Sequence, residues 1–230
     1  MPNEQQGDNT TLIPVITDDD ELLRYGICRV PLPPKVDWNK WAQELSQVTP
    51  EIMFGQGDGE YSFYRNIMEE TEFPFDCILD ISVSEIGRAI LRHFPVSSPD
   101  ELVLDDAFCV HYNTSQDDTT GAKHMDPSDI TVNLCLEKSL DTKGSHVLFY
   151  GTKQLQNVDE SILNNDKHNN ENKIPDRFYV SQQPGTATIH FGDHPHETIA
   201  LEQGTRTNIV LTFCYKDPSR SRGQTRSCYF

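Results

Sequence analysis

The segment GAKHMDPSDITVNLCLE, residues 121–137, places a histidine and a carboxylate two residues apart, directly before a run of alternating residues. The run from Ile130 to Leu136 is typical of a buried strand. In an extended backbone, residues i and i+2 project to the same side, so His124 and Asp126 can bind one common ligand at the mouth of that strand. The segment therefore predicts a β-rich core with a candidate site at its edge.

From about residue 102 onward, the chain is a series of predicted strands separated by turn signals. The strand sequences are LVLDDAFCVHYN, DITVNLCLE, SHVLFYG, RFYVSQQ, TATIHFG, ETIALE and TRTNIVLTFCY. Apolar residues recur at helical spacing in two earlier segments, 36–48 and 75–94. One face of the second helix would carry Ile78, Ile81, Ile86, Ile90 and Leu91. Helices followed by many strands indicate an α+β chain whose second half is a β-sandwich or barrel.

The length of 230 residues is suited to one domain with a substantial core. We predict a flexible acidic arm at residues 1–24, a single domain at 25–215 and a tail at 216–230. The β core would occupy about residues 102–215, interrupted by a polar, Asn-rich insertion at about 153–176.

The composition excludes several classes of function. A net charge of −17 would repel phosphate backbones, which argues against nucleic acid as a partner. The six cysteines are scattered without a C-x-x-C pair, a pattern that favours buried thiols in a reducing compartment. No signal peptide and no membrane-spanning stretch is recognised, so the expected location is the cytoplasm or the nucleus.

One imidazole and one carboxylate leave a third ligand to be found. The segment TIHFGDHPHETIALEQGTRTNIVLTF offers three candidates, His190, His194 and His196. Two histidines and one carboxylate, with positions left open for other ligands, form the facial arrangement that suits non-haem Fe(II). In the same segment Arg206 opens an apolar strand, where a buried guanidinium would need a carboxylate partner from the protein or from a ligand.

These elements resemble the Fe(II)/2-oxoglutarate-dependent dioxygenases, specifically the prolyl-hydroxylase-like group. The match consists of H-x-D at 124–126, the strand TVNLCLE, and HETIALEQGTR with His196 and Arg206 ten residues apart, and it covers roughly residues 102–215. The resemblance implies a double-stranded β-helix, or jelly roll. It also implies His124, Asp126 and His196 as catalytic iron ligands, and Arg206 as the partner of the 2-oxoglutarate C5 carboxylate.

Two further residues are candidates for cosubstrate contact. Tyr112 stands where similar proteins often carry a tyrosine that touches 2-oxoglutarate, although an ordinary strand aromatic fits equally well. Asn133 lies on the strand after the H-x-D motif and could face the pocket. His194 is the reserve ligand, whereas His190, His111 and His146 are interpreted as structural histidines. Along the last predicted strand, alternate side chains are expected to face opposite sides. One face, directed into the barrel, would carry Arg206, Asn208, Val210 and Thr212. The other face, directed toward the helices, would carry Ile209, Leu211 and Phe213.

The resemblance implies Fe(II) and 2-oxoglutarate as cofactor and cosubstrate, O2 as oxidant, and ascorbate as a further candidate. The expected function is hydroxylation of a protein side chain, prolyl included, or of a small molecule, with release of succinate and CO2. A nucleic-acid dealkylase of the AlkB type ranks lower, because its second arginine would stand near Thr212–Cys214 and is missing. A non-catalytic jelly roll that binds a metal or a partner is the third alternative, and the oligomeric state is left open.

Overall fold

The computed structural model describes residues 13–47, 64–68, 72–116, 118–164 and 175–221. Its helices are α1 Asp19–Tyr25, α2 Trp38–Ser46, α3 Phe75–Leu79, α4 Glu85–His93 and α5 Glu160–Asn164. Its strands are β1 Val15–Ile16, β2 Ile27–Pro31, β3 Tyr64–Asn66, β4 Leu102–Asn113, β5 Gly121–His124, β6 Ile130–Lys138, β7 Lys143–Gly144, β8 Val147–Tyr150, β9 Arg177–Val180, β10 Thr186–Phe191, β11 His196–Thr198, β12 Leu201–Gln203 and β13 Thr205–Tyr215.

Two main sheets form the jelly roll that the sequence predicts. The larger sheet has the order β2-β10-β6-β13-β4-β3, and the smaller has the order β1-β9-β8-β11-β5. The long strand β13 is central in the larger sheet, since it pairs antiparallel with both β4 and β6. Strands that are distant in sequence are therefore neighbours in space, which brings the H-x-D segment and the distal histidine segment together.

The larger sheet separates an apolar core from a cavity. Its outer face contributes Ile209, Leu211 and Phe213 to a core shared with Trp41 of α2 and Ile90 of α4. Its inner face turns toward the smaller sheet, and the cavity between the sheets is lined by Arg206, Asn208 and Val210, among others. The predicted parity of β13 is confirmed at these positions, because alternate side chains of a strand face opposite sides.

The helix predicted over residues 75–94 is wrong as a single element. The structure has two helices, α3 and α4, separated by a turn at Asp80–Ser84. The Asp80 side chain accepts a hydrogen bond from Ser82 N at 2.8 Å, and Ser84 caps α4 by accepting one from Ile86 N at 3.1 Å. Short polar side chains of this kind compete with helical hydrogen bonds, which explains the break. Ile81 lies in the turn with 46% of its surface exposed, so it is not part of the buried face.

Gly87 lets the two helices approach closely. A Cβ atom at Gly87 would lie 2.5 Å from the carbonyl oxygen of Leu79, closer than real Cβ contacts allow. Gly87→Ala is expected to lower the free energy of unfolding by about 1 kcal/mol, because backbone displacement outweighs the gain in helix propensity. Urea denaturation monitored by circular dichroism measures this change, and a more stable variant would contradict the packing described here.

The flexible arm predicted over residues 1–24 requires correction from residue 13 onward. Strand β1 pairs in parallel with β9, and the side chain of Asp18 caps α1 by accepting a hydrogen bond from Glu21 N. Leu22 is fully buried in a cluster with residues of the smaller sheet. Ile16 and Leu22 are thus part of the fold, since their burial provides stabilisation that a solvated arm would lack. Residues 1–12 lie outside the described part of the chain.

The predicted insertion and tail are also partly structured. In the 153–176 insertion, Leu155 is buried in the main core and α5 occupies Glu160–Asn164, while residues 165–174 are not described. At the start of the tail, a 3₁₀ turn at Pro218–Arg220 is followed by Ser221, and Arg220 forms an ion pair with Glu101. Residues 222–230 lie outside the described ranges. Among the helices that the structure describes, none is long and apolar enough to cross a membrane.

Candidate metal centre

Two paired strands and one turn bring the predicted ligands together. His124 at the end of β5 is the antiparallel partner of His196 at the start of β11. Asp126 lies in the turn before β6, where its backbone N–H donates to Gly192 O at 2.9 Å. Its Oδ1 atom lies 3.3 Å from His124 Nε2 and 3.9 Å from His196 Nε2. One ligand atom from each residue lies within 4.8 Å of the others, a spacing compatible with a single metal ion.

Backbone carbonyls orient both imidazole rings. The Nδ1 atom of His124 lies 2.6 Å from Ala122 O, and the Nδ1 atom of His196 lies 2.9 Å from His194 O. A carbonyl only accepts, so each Nδ1 carries a proton, and Nε2, which faces Asp126, is the nitrogen that can bind a metal once it carries no proton. This is the tautomer that a histidine needs in order to bind a metal through Nε2.

The Asp126 carboxylate has one oxygen occupied and one directed toward the histidines. Its Oδ2 atom accepts a hydrogen bond from Thr131 Oγ1 at 2.5 Å, and Thr131 also contacts Ser128 Oγ at 3.1 Å. Burial by itself would raise the pKa of Asp126, but hydrogen bonds from His124 and Thr131 and the nearby histidines hold it well below its usual range. The carboxylate is therefore ionised, with Oδ1 available as a single-atom ligand.

Thr131→Val is expected to weaken Co(II) binding about tenfold, because the hydroxyl that fixes Asp126 is removed at nearly constant volume. Isothermal titration with Co(II) measures the affinity. Thr131→Ser retains the hydroxyl and serves as the matched control, with affinity expected close to that of the unchanged protein. Equal affinity in the valine and serine variants would contradict a role for Thr131 in holding the carboxylate.

The other two candidate histidines have different surroundings. The Nε2 atom of His194 contacts Gly151 O at 3.1 Å, so this reserve ligand points away from the cluster. His190 lines the cavity beneath His196, with ring centroids 4.9 Å apart, and its Nδ1 contacts Phe191 O at 2.9 Å. Burial lowers the pKa of His190 to about 3 and that of His194 to about 4. His190 is therefore a neutral member of the cavity wall, whereas the neutral ring of His194 does not line the cavity.

The cluster of His124, Asp126 and His196 opens into a cavity of about 270 Å³ between the two sheets. The apolar wall of the cavity includes Phe108, Val110, Val147, Phe149 and Val210. Apart from the three cluster residues, the polar lining includes Tyr112, Thr131, Asn133, Gln182, Thr188, His190, Thr198, Arg206 and Asn208. Three predicted cosubstrate residues, Arg206, Tyr112 and Asn133, thus share one cavity with the predicted metal ligands.

Arg206 is a buried cation that forms no ion pair with any carboxylate in the described part of the chain. It is 3% exposed, and its Nη1 atom donates to Ser145 O at 2.7 Å, while its Nε atom has no hydrogen-bond partner. Its guanidinium lies 5.0 Å from the centre of the Tyr112 ring. Burial lowers the pKa of Arg206, and no described carboxylate forms a salt bridge with it. Such a buried charge is costly without a partner, so the arrangement suits an anionic ligand.

Other polar atoms that face the cavity also lack partners. They are Gln182 Oε1, Thr188 Oγ1 and Asn208 Oδ1, all on residues that are at most 3% exposed. The amide of Asn208 donates to Asn133, so the two asparagines form a pair on the cavity floor. Buried polar groups are nearly always satisfied, and these atoms therefore indicate that the cavity accommodates a polar ligand or ordered water.

Three residues that line the cavity, Thr131, Gln182 and Thr188, are not among the site residues predicted from the sequence. Thr131 and Thr188 could have been suggested by parity, since Thr131 shares a face with Asn133 and Thr188 is paired directly with Asn133. Gln182 follows β9 in a connection, where no periodic pattern fixes the direction of a side chain. His111, interpreted as structural, contacts Thr207 Oγ1 at 2.9 Å through Nδ1 and does not line the cavity.

No protein-family model matches the chain. Two curated Arabidopsis thaliana proteins do match it, and both are named 2-oxoglutarate and iron-dependent oxygenase domain-containing proteins. ICU11 is 29% identical over 145 residues, 61% of this chain and 32% of its own length. CP2 is 29% identical over 195 residues, 83% of this chain and 43% of its own length. The chain thus spans less than half the length of these curated relatives.

Solved structures show the same fold at low sequence identity. An oxidoreductase of the 2OG-Fe(II) oxygenase family from Burkholderia pseudomallei is 12% identical and has a TM-score of 0.57, with 89% of this chain and 95% of that chain covered. The epimerase SnoN, solved in complex with Fe3+, alpha ketoglutarate and nogalamycin RO, is 14% identical with a TM-score of 0.55, covering 85% and 81%. The resemblance to 2-oxoglutarate- and iron-dependent oxygenases and the jelly-roll fold are confirmed, while the prolyl-hydroxylase-like subgroup stays a prediction.

Proposed function

We propose that this chain, which shares the fold of the 2-oxoglutarate- and iron-dependent oxygenases and resembles them in sequence, is itself such an oxygenase and hydroxylates a protein side chain. The observation that carries the proposal is the content of a single cavity. A cluster of His124, Asp126 and His196 lies in the same cavity as Arg206, a buried arginine with no acidic partner among the described residues.

The donor set fits Fe(II). Two neutral imidazoles and one carboxylate supply three ligand atoms, and the remaining coordination positions can take a bidentate cosubstrate and oxygen. The structure supports this assignment through the protonated Nδ1 atoms of His124 and His196 and through the ionised Asp126, held by Thr131. Fe(II) with 2-oxoglutarate would supply the oxidising chemistry, in which O2 is activated while 2-oxoglutarate is converted to succinate and CO2.

Arg206 would bind the distal carboxylate of 2-oxoglutarate. Its free Nε and the guanidinium plane offer the paired donors that a carboxylate accepts. Thr188 and the Asn133–Asn208 pair are further polar groups that could orient the cosubstrate, and Tyr112 lies beside Arg206. Binding of a dianion would compensate the buried charge of Arg206, for which the described residues supply no acidic partner.

The remaining lining favours an uncharged substrate group. Apart from Asp126, Arg206 and the histidines, the described residues that line the cavity are neutral, and Phe108, Val110 and Val210 belong to its apolar wall. A charged substrate side chain would lose its hydration there without gaining a partner. The volume of about 270 Å³ is also at the small end of ligand pockets, roughly 300–1,000 Å³. With the cosubstrate bound, a single neutral side chain, such as prolyl or an aliphatic one, fits this space better than an extended small molecule.

The same features do not favour a nucleic-acid dealkylase. The net charge of −17 opposes binding to phosphate backbones. Thr212, Phe213 and Cys214 occupy the stretch of β13 where that class would carry its second arginine. An alkylated, positively charged base would also find no acidic side chain besides Asp126 among the described residues that line the cavity.

The test is 2-oxoglutarate turnover with the purified chain, Fe(II), ascorbate and O2. Succinate formation is expected, and it should increase when peptides with a neutral central side chain are added, together with a mass gain of one oxygen on the peptide. Peptides with a central lysine or glutamate are the matched controls. Binding of metal and 2-oxoglutarate without any succinate would contradict the proposal and support a non-catalytic jelly roll.

A further inference from the structure

The outer face of the smaller sheet carries a cluster directly behind the metal centre. Lys123 Nζ lies 3.6 Å from the centre of the Tyr150 ring, and the Tyr150 hydroxyl donates to Glu197 Oε1 at 2.7 Å. Lys123 precedes His124 in β5, and Glu197 follows His196 in β11. Because neighbouring residues of a strand face opposite sides, the cluster lies outside while the histidines face the cavity. We refer to Lys123, Tyr150 and Glu197 as the outer brace.

Strand β5 has few other contacts that fix it in place. It is an edge strand of four residues, and its pairing with β11 shifts register between His196 and Thr198. The side chain of His124 is 49% exposed, whereas those of Asp126 and His196 are each 11% exposed. Packing therefore constrains His124 least among the three predicted ligands, and short edge strands open readily.

The side chains of the outer brace link three strands, whereas backbone hydrogen bonds link these strands only two at a time. Tyr150 stands at the end of β8, and it reaches Glu197 on β11 and Lys123 on β5. A cation over an aromatic face and a hydrogen bond to a carboxylate are each modest at an exposed position. The hydrogen bond to Glu197 fixes the Tyr150 ring, and the Lys123 contact with that ring acts on the edge strand β5.

We propose that the outer brace positions His124 for metal binding by keeping β5 docked against β11. This inference rests on the proposed function for its metal, but not for its effect on β5. Without the brace, β5 would separate from β11 more often. Part of the free energy of metal binding would then be needed to order β5, so the affinity for the metal would fall. The three residues touch neither the cavity nor the predicted ligands' Nε2 atoms, so they act only through the backbone that carries His124.

The test uses hydrogen exchange on the metal-free protein and titration with Co(II) as the probe. Tyr150→Leu and Lys123→Met are expected to speed amide exchange in residues 121–124 and to weaken Co(II) binding about fivefold. Lys123→Arg keeps the cation and should retain both properties. Arg88→Ala, which removes an exposed ion pair with Glu85 on α4, is the matched control and should change neither.

Added Co(II) should restore slow exchange of β5 in the Tyr150→Leu variant, a result that general destabilisation would not give. Unchanged exchange of residues 121–124 in both brace variants would overturn the inference. Exchange that increases across the whole smaller sheet, together with unchanged Co(II) affinity, would overturn it as well. If the unchanged protein binds no metal, the proposed function fails, while the exchange data still decide whether the brace holds β5.

Discussion

His196→Ala is expected to reduce Fe(II)-dependent turnover of 2-oxoglutarate by about three orders of magnitude or more, because the metal supplies several kcal/mol of the required activation. The substitution removes one of three ligand atoms that lie within 4.8 Å of one another. The fold should persist, since a catalytic metal is rarely the main support of a domain of this size. Succinate formation measures the loss, and the urea midpoint and far-ultraviolet circular dichroism measure the fold.

A second variant keeps this prediction independent of local packing around His196. Asp126→Ala changes a ligand that comes from the turn before β6 rather than from β11, and it should give the same loss of turnover. His194→Gln changes a nearby histidine whose Nε2 contacts Gly151 O instead of the cluster, so it should retain metal binding. Normal turnover in both ligand variants would show that the cluster is not the catalytic centre.

Arg206→Met is expected to weaken 2-oxoglutarate binding by about two orders of magnitude, because one partner of a buried charge pair is lost. The same substitution should leave the stability of the ligand-free protein unchanged or raise it by about 1 kcal/mol. The reason is that Arg206 is a buried cation that no described carboxylate neutralises, and an apolar side chain avoids its desolvation cost. Calorimetric titration with 2-oxoglutarate in the Co(II)-loaded protein and urea denaturation measure the two effects.

Arg29 offers the matched control for Arg206. It is also a buried arginine, at 7% exposure, but it pairs with Asp19 at 3.1 Å and does not line the cavity. Arg29→Met should therefore lower stability, by leaving its contacts unsatisfied, without changing 2-oxoglutarate affinity. Equal 2-oxoglutarate affinities for the Arg206 and Arg29 variants would contradict the role proposed for Arg206.

The sequence predicts much of the site because its signals are local. His124 and Asp126 are two residues apart before a recognisable strand, and the parity of β13 correctly turned Arg206 into the barrel. A period of two residues specifies which face a side chain occupies once a strand is recognised. The grouping of His196 with the H-x-D pair came from the family resemblance, since no local pattern reports that β5 and β11 are neighbours.

The predictions made from the sequence are wrong where tertiary contacts or side-chain hydrogen bonds determine the local structure. The break between α3 and α4 depends on Asp80 and Ser84 bonding to the backbone, although the apolar spacing continues across it. The acidic composition of residues 1–24 predicts a solvated arm, yet Leu22 is buried against residues from the smaller sheet. Gln182 and the outer brace become visible only after distant strands are paired.

The central claim is that one cavity binds Fe(II) through the His124–Asp126–His196 cluster and 2-oxoglutarate through Arg206. The most direct measurement is an anaerobic titration of the full chain with Fe(II) and then 2-oxoglutarate, in which the visible absorption band of the chelate is recorded. The account predicts a band in the unchanged protein, no band in His196→Ala, and a band in Arg206→Met only at much higher 2-oxoglutarate concentration. A folded, unchanged protein without the band, or a His196→Ala protein with a normal one, would contradict the account.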